Sequence, residues 1–195
     1  MVRIYLIVEV AQLAAAHAAL AALPRGSAAI QLRDKHASAR ALLEAAHRLI
    51  SFARPLGAPV LINDRADVAL AAGADGVHLP ANSLSPRDAR ALLGPQALIG
   101  FSCHSADDAA RAEGANFCVF GPVFQTPGKE AQGLAALSRA ARATALPVLA
   151  LGGVDATNAT ACIDAGARGA ACIRAVLAAP DPAAAAIALW QAVNA

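Results

Sequence analysis

Short apolar segments recur eight times along the chain, and alanine-rich segments with helical patterning separate most of them. The apolar segments are 3–8, 28–32, 59–62, 76–79, 97–101, 117–120, 147–151 and 169–173. Strands that alternate with helices form a parallel sheet, because each helix returns the chain to the edge where the next strand begins. Eight such units predict an α/β fold, namely a (β/α)8 TIM barrel that forms a single domain over residues 1–195.

A doubly wound open sheet is the main alternative to a barrel, although such sheets usually have fewer strands. The chain contains neither the GxGxxG pattern of dinucleotide-binding sheets nor the GxxxxGK[ST] pattern of P-loop proteins. The nucleotide-binding alternative is therefore weakened. A barrel of eight units in 195 residues requires short loops.

Residues typical of helix ends support this division of the chain. Helical patterning is clear in 38–55, 85–93, 105–113 and 155–165. Residues that favour the N-cap position stand at these helix starts, namely Ser38, Ser85, Ser105 and Asp155. Glycines that can adopt the left-handed conformation precede three of the strands, namely Gly73, Gly114 and Gly166.

Charge and cysteine content argue against several classes of protein. The net charge is only +2, from 16 basic and 14 acidic residues, so no nucleic-acid partner is expected. The apolar N-terminus is interrupted by Glu9 and predicts a first strand, with no signal peptide and no membrane span. The cysteines form no CxxC pair and predict buried, reduced thiols in a cytoplasmic protein, namely Cys103, Cys118, Cys162 and Cys172.

The sequence "AAIQLRDK" places polar residues directly after the second apolar segment. Gln31, Arg33 and Lys35 lie two residues apart and share one face of an extended chain. At the carboxyl end of a barrel strand they would point into the catalytic mouth, where two cations suit a phosphate or pyrophosphate group. An ordinary solvated turn is the alternative for this segment taken alone.

Other strand ends carry polar residues as well. "LINDRADVA" places Asn63 and Asp64 after the third strand, where Asp64 could bind a hard cation such as Mg²⁺ or cap the next helix. His78 ends the fourth strand and Ser102 follows the fifth, but no third residue completes a hydrolytic triad.

The last three strands are followed by features that suit a phosphate. The loop after the sixth strand, "GPVFQTPGKE", contains Thr126 and Lys129 and has the capacity to bind an anion. Gly152 and Gly153 follow the seventh strand and open a helix, where backbone N–H groups favour phosphate. Arg174 follows the eighth strand and could neutralise the same group. Together the strand ends predict two anion sites and an enzyme that handles phosphorylated substrates.

Five motifs in this order resemble the thiamin phosphate synthase family and its TenI-like relative, thiazole tautomerase. They are "IQLRDK", "LINDRADVALAAGADGVHL", "IGFSCHS", "FGPVFQTPGK" and "ALGGV", and they span about residues 30–174. In the synthase reaction that the resemblance implies, a pyrimidine methyl diphosphate loses pyrophosphate. The nitrogen of a thiazole phosphate then captures the pyrimidine carbocation. A homodimer is also expected from the resemblance.

The resemblance implies a role for each polar strand end. Its catalytic residues, placed around the pyrophosphate, would be Arg33, Lys35, Ser102 and Lys129. Its substrate-binding residues would be Gln31, Asn63 and His78 near the pyrimidine, and Thr126, Gly152 and Gly153 at the thiazole phosphate. Asp64 would bind Mg²⁺.

The chain departs from the synthase pattern at three positions. Ser83 stands where synthases usually carry a second magnesium carboxylate, Gly128 replaces a hydroxyl-bearing residue, and Arg174 stands where a serine is expected. The segment "HLPANSLSP" resembles the tautomerase branch, which also lacks that carboxylate. Pro122, however, occupies the place of a histidine expected in that branch. The tautomerase and a non-catalytic phosphate-binding relative therefore remain alternatives to the synthase.

Overall fold

The chain folds into a closed barrel of eight parallel strands in sequence order, as the sequence predicts. The computed structural model describes residues 2–195. The strands are β1 (Ile4–Val8), β2 (Ala28–Leu32), β3 (Val60–Asn63), β4 (Gly76–Leu79), β5 (Leu98–Cys103), β6 (Phe117–Phe120), β7 (Val148–Ala150) and β8 (Gly169–Cys172). β1 pairs with both β2 and β8, which closes the sheet and rules out the doubly wound alternative.

Nine α-helices surround the barrel within the described residues. They are α1 (Leu13–Ala22), α2 (Ala39–Ala53), α3 (Ala66–Ala72), α4 (Pro86–Leu93), α5 (Ala106–Ala110), α6 (Gly133–Arg142), α7 (Ala159–Asp164), α8 (Arg174–Leu177) and α9 (Pro182–Ala192). Short 3-10 helices occupy Val10–Gln12 and Arg54–Leu56. No helix in residues 2–195 combines the length and the apolar character that a bilayer span requires.

The barrel strands carry apolar side chains on both faces, and the two faces form separate clusters. In β1, Ile4, Leu6 and Val8 pack against the surrounding helices, whereas Tyr5 and Ile7 point into the barrel. This alternation follows from the two-residue period of a strand. The inward side chains become polar toward the carboxyl ends, so the polar residues gather at one mouth.

Most of the predicted helix boundaries are confirmed. Ser38, Ser85 and Ser105 each accept a hydrogen bond from a backbone N–H in the first turn of the following helix. Gly73 adopts the left-handed conformation at the end of α3, with φ +62°. All four cysteines are buried free thiols, as predicted.

Two predicted helix boundaries are wrong. The predicted helix 105–113 ends at Ala110, because the chain must turn through Gly114, with φ +93°, before β6 begins. Asp155 does not cap α7. Its Oδ1 instead accepts hydrogen bonds from the backbone N–H and the hydroxyl of Thr157, at 2.8 and 2.6 Å, and this turn delays the helix to Ala159.

Candidate active site

A cavity of about 610 Å³ opens at the carboxyl ends of the strands. Its lining includes seven of the residues that the sequence singles out: Gln31, Arg33, Lys35, Asn63, His78, Ser102 and Lys129. They come from β2 and the turn after it, from β3, β4 and β5, and from the loop after β6, so only the closed barrel brings them together. Among the described residues, no carboxylate lines this cavity, which leaves it with a cationic wall.

Asp34 orders the turn that carries two of the cations, Arg33 and Lys35. Its Oδ1 accepts hydrogen bonds from the backbone N–H groups two and three residues later, at 3.0 and 3.1 Å. Its Oδ2 accepts one from the N–H of Val10 at 3.3 Å. The His36 N–H, followed by the other two backbone donors, lowers the pKa of the Asp34 carboxyl. The three residues of "RDK" therefore have different roles. Asp34 stabilises the turn, and Arg33 and Lys35 line the cavity.

A pair of amide side chains lies at the wall of the cavity. The Nε2 of Gln31 donates a hydrogen bond to the Oδ1 of Asn63 at 2.9 Å. Gln31 is only 1% exposed, and its Oε1 is a buried acceptor without a hydrogen-bond partner. A buried acceptor left unpaired costs about 1–3 kcal/mol. A ligand with an N–H donor at this point would supply the missing partner.

His78 connects the barrel interior to the cavity. Its Nδ1 lies 3.3 Å from the hydroxyl of Tyr5, and its Nε2 lies 2.9 Å from the Oγ of Ser102. Burial, with a smaller contribution from the positive charge of Arg33, lowers the pKa of His78 to about 3. The imidazole is therefore neutral at physiological pH and cannot act there as a cationic phosphate ligand.

A smaller pocket of about 160 Å³ adjoins the cavity and shares Leu151 and Ile173 with it. The remaining residues that the sequence assigns to a phosphate line this pocket, namely Thr126, Gly152, Gly153 and Arg174. The sequence-predicted anion residues thus fall into two neighbouring sites, as expected for two phosphorylated groups held close together.

The glycine turn after β7 is shaped by its close contact with the loop after β6. Gly152 has φ +93°, and a Cβ there would lie 2.5 Å from the Cα of Pro122. Gly153 has φ +66°, and its Cβ would lie 2.7 Å from the Cβ of Phe124. The Phe124 N–H donates to the Gly152 carbonyl at 2.9 Å. Any larger residue would push the loop away from the pocket, so both positions require glycine.

The loop after β6 contributes to both sites. The backbone N–H of Lys129 donates to the carbonyl of Thr126 at 3.0 Å, which closes a tight turn between the two residues. The N–H groups of Gln132 and Gly133 then donate back to the carbonyls of Pro122 and Val123, both at 2.9 Å. These backbone hydrogen bonds hold the loop so that Lys129 lines the larger cavity and Thr126 lines the smaller pocket.

Asp64 lies at the rim and stands apart from the residues that line the cavity. It is the one non-glycine residue of 2–195 with positive φ, at +64°, and its N–H donates to the carbonyl of His78 at 2.9 Å. Its Oδ1 accepts a hydrogen bond from the hydroxyl of Ser83. A positive φ in a residue other than glycine is a form of backbone strain, and such strain is common at functional sites.

The donor set around Asp64 fits Mg²⁺ only with help from a substrate. Residues 2–195 contain no cluster of three or more His, Cys, Asp or Glu side chains that could hold a metal. Mg²⁺ in enzymes is often bound by one or two carboxylates together with substrate phosphates and water. Asp64 provides one carboxylate, and the diphosphate oxygens would have to provide much of the remaining coordination.

Two residues near the cavity have contacts that the sequence motifs do not reveal. Tyr5 lies in an apolar strand with no polar neighbour, and only the closed barrel brings its hydroxyl to His78. His104 lines the cavity, and its Nδ1 donates to the carbonyl of Gly121 at 2.7 Å. The single tyrosine of the chain, at an inward position of the first strand, is the one available signal for Tyr5.

The comparisons with known proteins all indicate the same family. The model of the thiamine monophosphate synthase family matches residues 4–176. The thiamine-phosphate synthase of Anaeromyxobacter dehalogenans is 46% identical over 183 residues, covering 91% of this chain and 82% of the relative. The thiamine-phosphate synthase of Roseiflexus castenholzii is 43% identical over 175 residues, covering 87% and 77% of the two chains.

A solved structure agrees with these sequence matches. The thiamine phosphate pyrophosphorylase from Pyrococcus furiosus superposes with a TM-score of 0.88 at 32% identity. The superposition covers 99% of this chain and 96% of the other. The fold and the order of the strand-end motifs therefore match the same group of proteins.

Proposed function

The chain belongs to the thiamine monophosphate synthase family, and we propose that it joins a pyrimidine methyl diphosphate to a thiazole phosphate with release of pyrophosphate. One observation carries this proposal. A cavity walled by Arg33, Lys35 and Lys129, with no carboxylate among its described lining residues, adjoins a smaller pocket lined by Gly152 and Gly153. Two phosphorylated substrates can therefore be held side by side at one barrel mouth.

The larger cavity suits the diphosphate. Heterolysis of the bond between the methyl carbon and the diphosphate oxygen leaves the electron pair on the departing pyrophosphate. Arg33, Lys35 and Lys129 stabilise the charge that develops there, and Ser102 provides a hydroxyl at the same wall. The remaining pyrimidine carbocation is captured by the lone pair of the thiazole nitrogen, so the new C–N bond forms without any proton transfer.

The amide pair suits the pyrimidine. The unpaired Oε1 of Gln31 is an acceptor, so it favours a pyrimidine that carries an amino substituent. Asn63 fixes the orientation of Gln31 through their hydrogen bond of 2.9 Å. His78 lies beside them in its neutral form and adds no positive charge next to a carbocation. These contacts would orient the ring with its methyl carbon toward the cations.

The smaller pocket suits the thiazole phosphate. Thr126 offers a hydroxyl and Arg174 a positive charge, while the turn at Gly152 and Gly153 allows close approach of the backbone. Bound there, the second substrate lies next to the larger cavity, because the two sites share Leu151 and Ile173. Such proximity is a large part of the catalytic effect for two reactants.

Asp64 would hold Mg²⁺ at the rim, and the ion when bound would neutralise charge on the leaving pyrophosphate. The weak protein donor set favours an ion that arrives with the diphosphate. In addition, we propose a cytoplasmic location and a homodimer, which the family resemblance implies. Analytical ultracentrifugation of the purified chain tests the dimer, since a monomer at micromolar concentration would contradict it.

A thiazole tautomerase is the second candidate, because Ser83 stands beside Asp64 where a second carboxylate is expected. That reaction needs a proton-transfer group near the thiazole. Pro122 cannot serve in that role, and the Nδ1 of His104 is engaged with the carbonyl of Gly121. The cationic wall of the larger cavity also favours a diphosphate, which the tautomerase reaction does not use.

A product assay distinguishes these possibilities. The chain is incubated with the pyrimidine methyl diphosphate, the thiazole phosphate and Mg²⁺, and thiamin phosphate is measured while each component is omitted in turn. Product that depends on both substrates supports the synthase, and loss of product without Mg²⁺ supports a requirement for the ion. Absence of product, with conversion of a carboxylated thiazole phosphate, would establish the tautomerase instead. Phosphate binding without either conversion would identify a non-catalytic relative.

A further inference from the structure

A chain of three hydrogen-bonded side chains runs from the barrel interior to the larger cavity. Tyr5 belongs to β1, His78 to β4 and Ser102 to β5. The Tyr5 hydroxyl lies 3.3 Å from the Nδ1 of His78, and the His78 Nε2 lies 2.9 Å from the Oγ of Ser102. Tyr5 is fully buried and does not line the cavity, whereas His78 and Ser102 both do. Tyr5 can therefore influence a ligand only through the other two residues.

The chemistry of the three groups fixes the direction of the hydrogen bonds. A neutral imidazole has one N–H donor and one bare nitrogen acceptor. Among residues 2–195, the Tyr5 hydroxyl has His78 as its hydrogen-bond partner and no other. The phenolic proton must go to the Nδ1 of His78. The Nε2 of His78 then carries the imidazole proton and donates it to the Oγ of Ser102.

The opposite arrangement is unfavourable for two reasons. If Nδ1 carried the proton, the Tyr5 hydroxyl proton would be buried without an acceptor, which is costly. Ser102 would then donate to the Nε2 of His78 and would present only oxygen lone pairs to the cavity. Lone pairs repel a phosphate oxygen, whereas the first arrangement leaves the Ser102 proton free to bind one.

The surrounding residues hold the ring of His78 in this position. Its backbone neighbour on β5 is Gly100, and a Cβ there would lie 2.5 Å from the Nδ1 of His78. Phe117 packs edge-on against Tyr5, with ring centroids 5.2 Å apart at 81°. His78 therefore fits only because position 100 lacks a side chain, and Tyr5 is fixed by its aromatic neighbour.

We propose that Tyr5 is a positioning residue whose hydroxyl holds His78 in the Nε2–H tautomer, so that the Ser102 hydroxyl is turned outward as a hydrogen-bond donor to the leaving diphosphate. The inference rests on the proposed function for the identity of that anion. It also explains why a serine and a histidine 2.9 Å apart do not form a nucleophilic pair. In this tautomer the histidine donates to the serine and cannot take its proton.

The tautomer can be measured directly. Long-range ¹H–¹⁵N correlation spectra distinguish the two neutral forms of histidine, and the His78 signals are assigned by their loss in His78→Asn. The wild type is expected to show the Nε2–H form alone. An Nδ1–H form in the wild type would overturn the proposal, and the tautomer itself is read from the wild-type protein.

Two variants connect the tautomer to Tyr5. Tyr5→Phe removes only the hydroxyl, and the Nδ1–H form of His78 is expected to appear in its spectrum. Phe117→Leu is the matched control, because it alters the packing of Tyr5 but keeps the hydroxyl, and it should retain the Nε2–H form. An unchanged single Nε2–H form in Tyr5→Phe would remove Tyr5 as its cause and overturn the proposal.

A double-mutant cycle tests whether Tyr5 acts through Ser102. Calorimetric titration with inorganic pyrophosphate, in the presence of Mg²⁺, is expected to show roughly tenfold weaker binding for Tyr5→Phe than for the wild type. In a Ser102→Ala background the same substitution should have less than about a twofold effect, because the group that it positions is already absent. Additive losses would indicate a general structural effect and overturn the proposal.

Kinetics with both substrates separate this inference from the proposed function. For Tyr5→Phe, kcat is expected to fall roughly tenfold while KM for the thiazole phosphate stays unchanged. A rise in KM for the thiazole phosphate as large as that for the diphosphate would overturn the positioning role. If the wild type makes no thiamin phosphate, yet the tautomer and the non-additive pyrophosphate affinities are as expected, the proposed function fails and the role of Tyr5 stands.

Discussion

The hydroxyl of Ser83 donates a hydrogen bond to the Oδ1 of Asp64 at the rim of the barrel mouth. The two residues come from the loops after β4 and β3 respectively, and they meet because the carboxyl ends of adjacent strands lie side by side. A side chain at position 83 is therefore in direct contact with the one carboxylate that we propose for Mg²⁺. Of the three positions that depart from the synthase pattern, position 83 is therefore the one placed to alter metal binding.

Ser83→Asp is expected to strengthen Mg²⁺ binding in the presence of pyrophosphate by about tenfold, because two carboxylates would then face the ion. Calorimetric titration of Mg²⁺ into the protein with pyrophosphate measures this change without requiring turnover. Ser83→Asn is the matched control, because asparagine has the size of aspartate without its charge. This variant should bind Mg²⁺ with an affinity within about twofold of that of the wild type. An identical Mg²⁺ response in all three proteins would mean that position 83 does not face the metal.

Lys129→Ala is expected to weaken use of the diphosphate by about 10- to 100-fold, the usual effect of removing one charged hydrogen bond. Binding of the thiazole phosphate should change little, because Lys129 faces the larger cavity and Thr126 the smaller one. Thr126→Ala is the reciprocal variant and should weaken the thiazole phosphate instead. Steady-state kinetics with each substrate varied separately provide the test, and equal losses for both substrates would contradict the two-site assignment.

The positions of these site residues could be predicted to different degrees from the sequence. Gln31, Arg33 and Lys35 were predictable, because a two-residue period and a strand end are both visible in the letters "AAIQLRDK". The division of anion residues into two sites also agrees with the pockets of the structure. These features depend on local patterning and on the general rule that barrel enzymes use the carboxyl ends of their strands.

Other features depend on contacts that no local pattern encodes. Tyr5 meets His78 across the barrel, 73 residues away in the chain, so nothing in its own segment indicates a polar partner. The positive φ of Asp64 is likewise set by the closing of the turn after β3, where the Asp64 N–H reaches the His78 carbonyl. Asp155 carries a helix-capping side chain, but it closes a turn because Thr157 offers two nearby donors.

Gly152→Ala is expected to destabilise the protein more than Gly128→Ala. Both glycines have positive φ, at +93° and +75°, so each alanine would carry about 1 kcal/mol of backbone strain. Only Gly152 has a close neighbour, since a Cβ there would lie 2.5 Å from Pro122, whereas a Cβ at Gly128 meets nothing within 4 Å. The clash should add about 1–3 kcal/mol.

Urea denaturation of the two variants measures that difference, and phosphate titration should show weaker binding for Gly152→Ala alone. Similar losses of unfolding free energy in both variants would mean that the loop after β6 yields easily at this contact. The close packing of the loop on the glycine turn would then not be what shapes the smaller pocket.

The buried histidine makes stability depend on pH in a defined range. Burial lowers the pKa of His78 to about 3 in the folded state, whereas an unfolded histidine titrates near about 6.5. Between these values the unfolded state binds more protons than the folded state, so the free energy of unfolding falls as the pH is lowered from about 6.5. At pH 5 the loss from this one group is about 2 kcal/mol relative to pH 7.

Urea denaturation at pH 7 and pH 5 of the wild type and of His78→Asn tests this expectation. The variant is less stable at both values, because it leaves the Tyr5 hydroxyl without its partner, but its stability should fall by about 2 kcal/mol less than that of the wild type. The lowered pKa values of Asp34 and Asp67 act in the same direction as that of His78, but mainly at pH values below this range. An equal fall in both proteins would show that His78 is protonated in the folded state near pH 5, which would contradict its neutral, proton-donating position against Ser102.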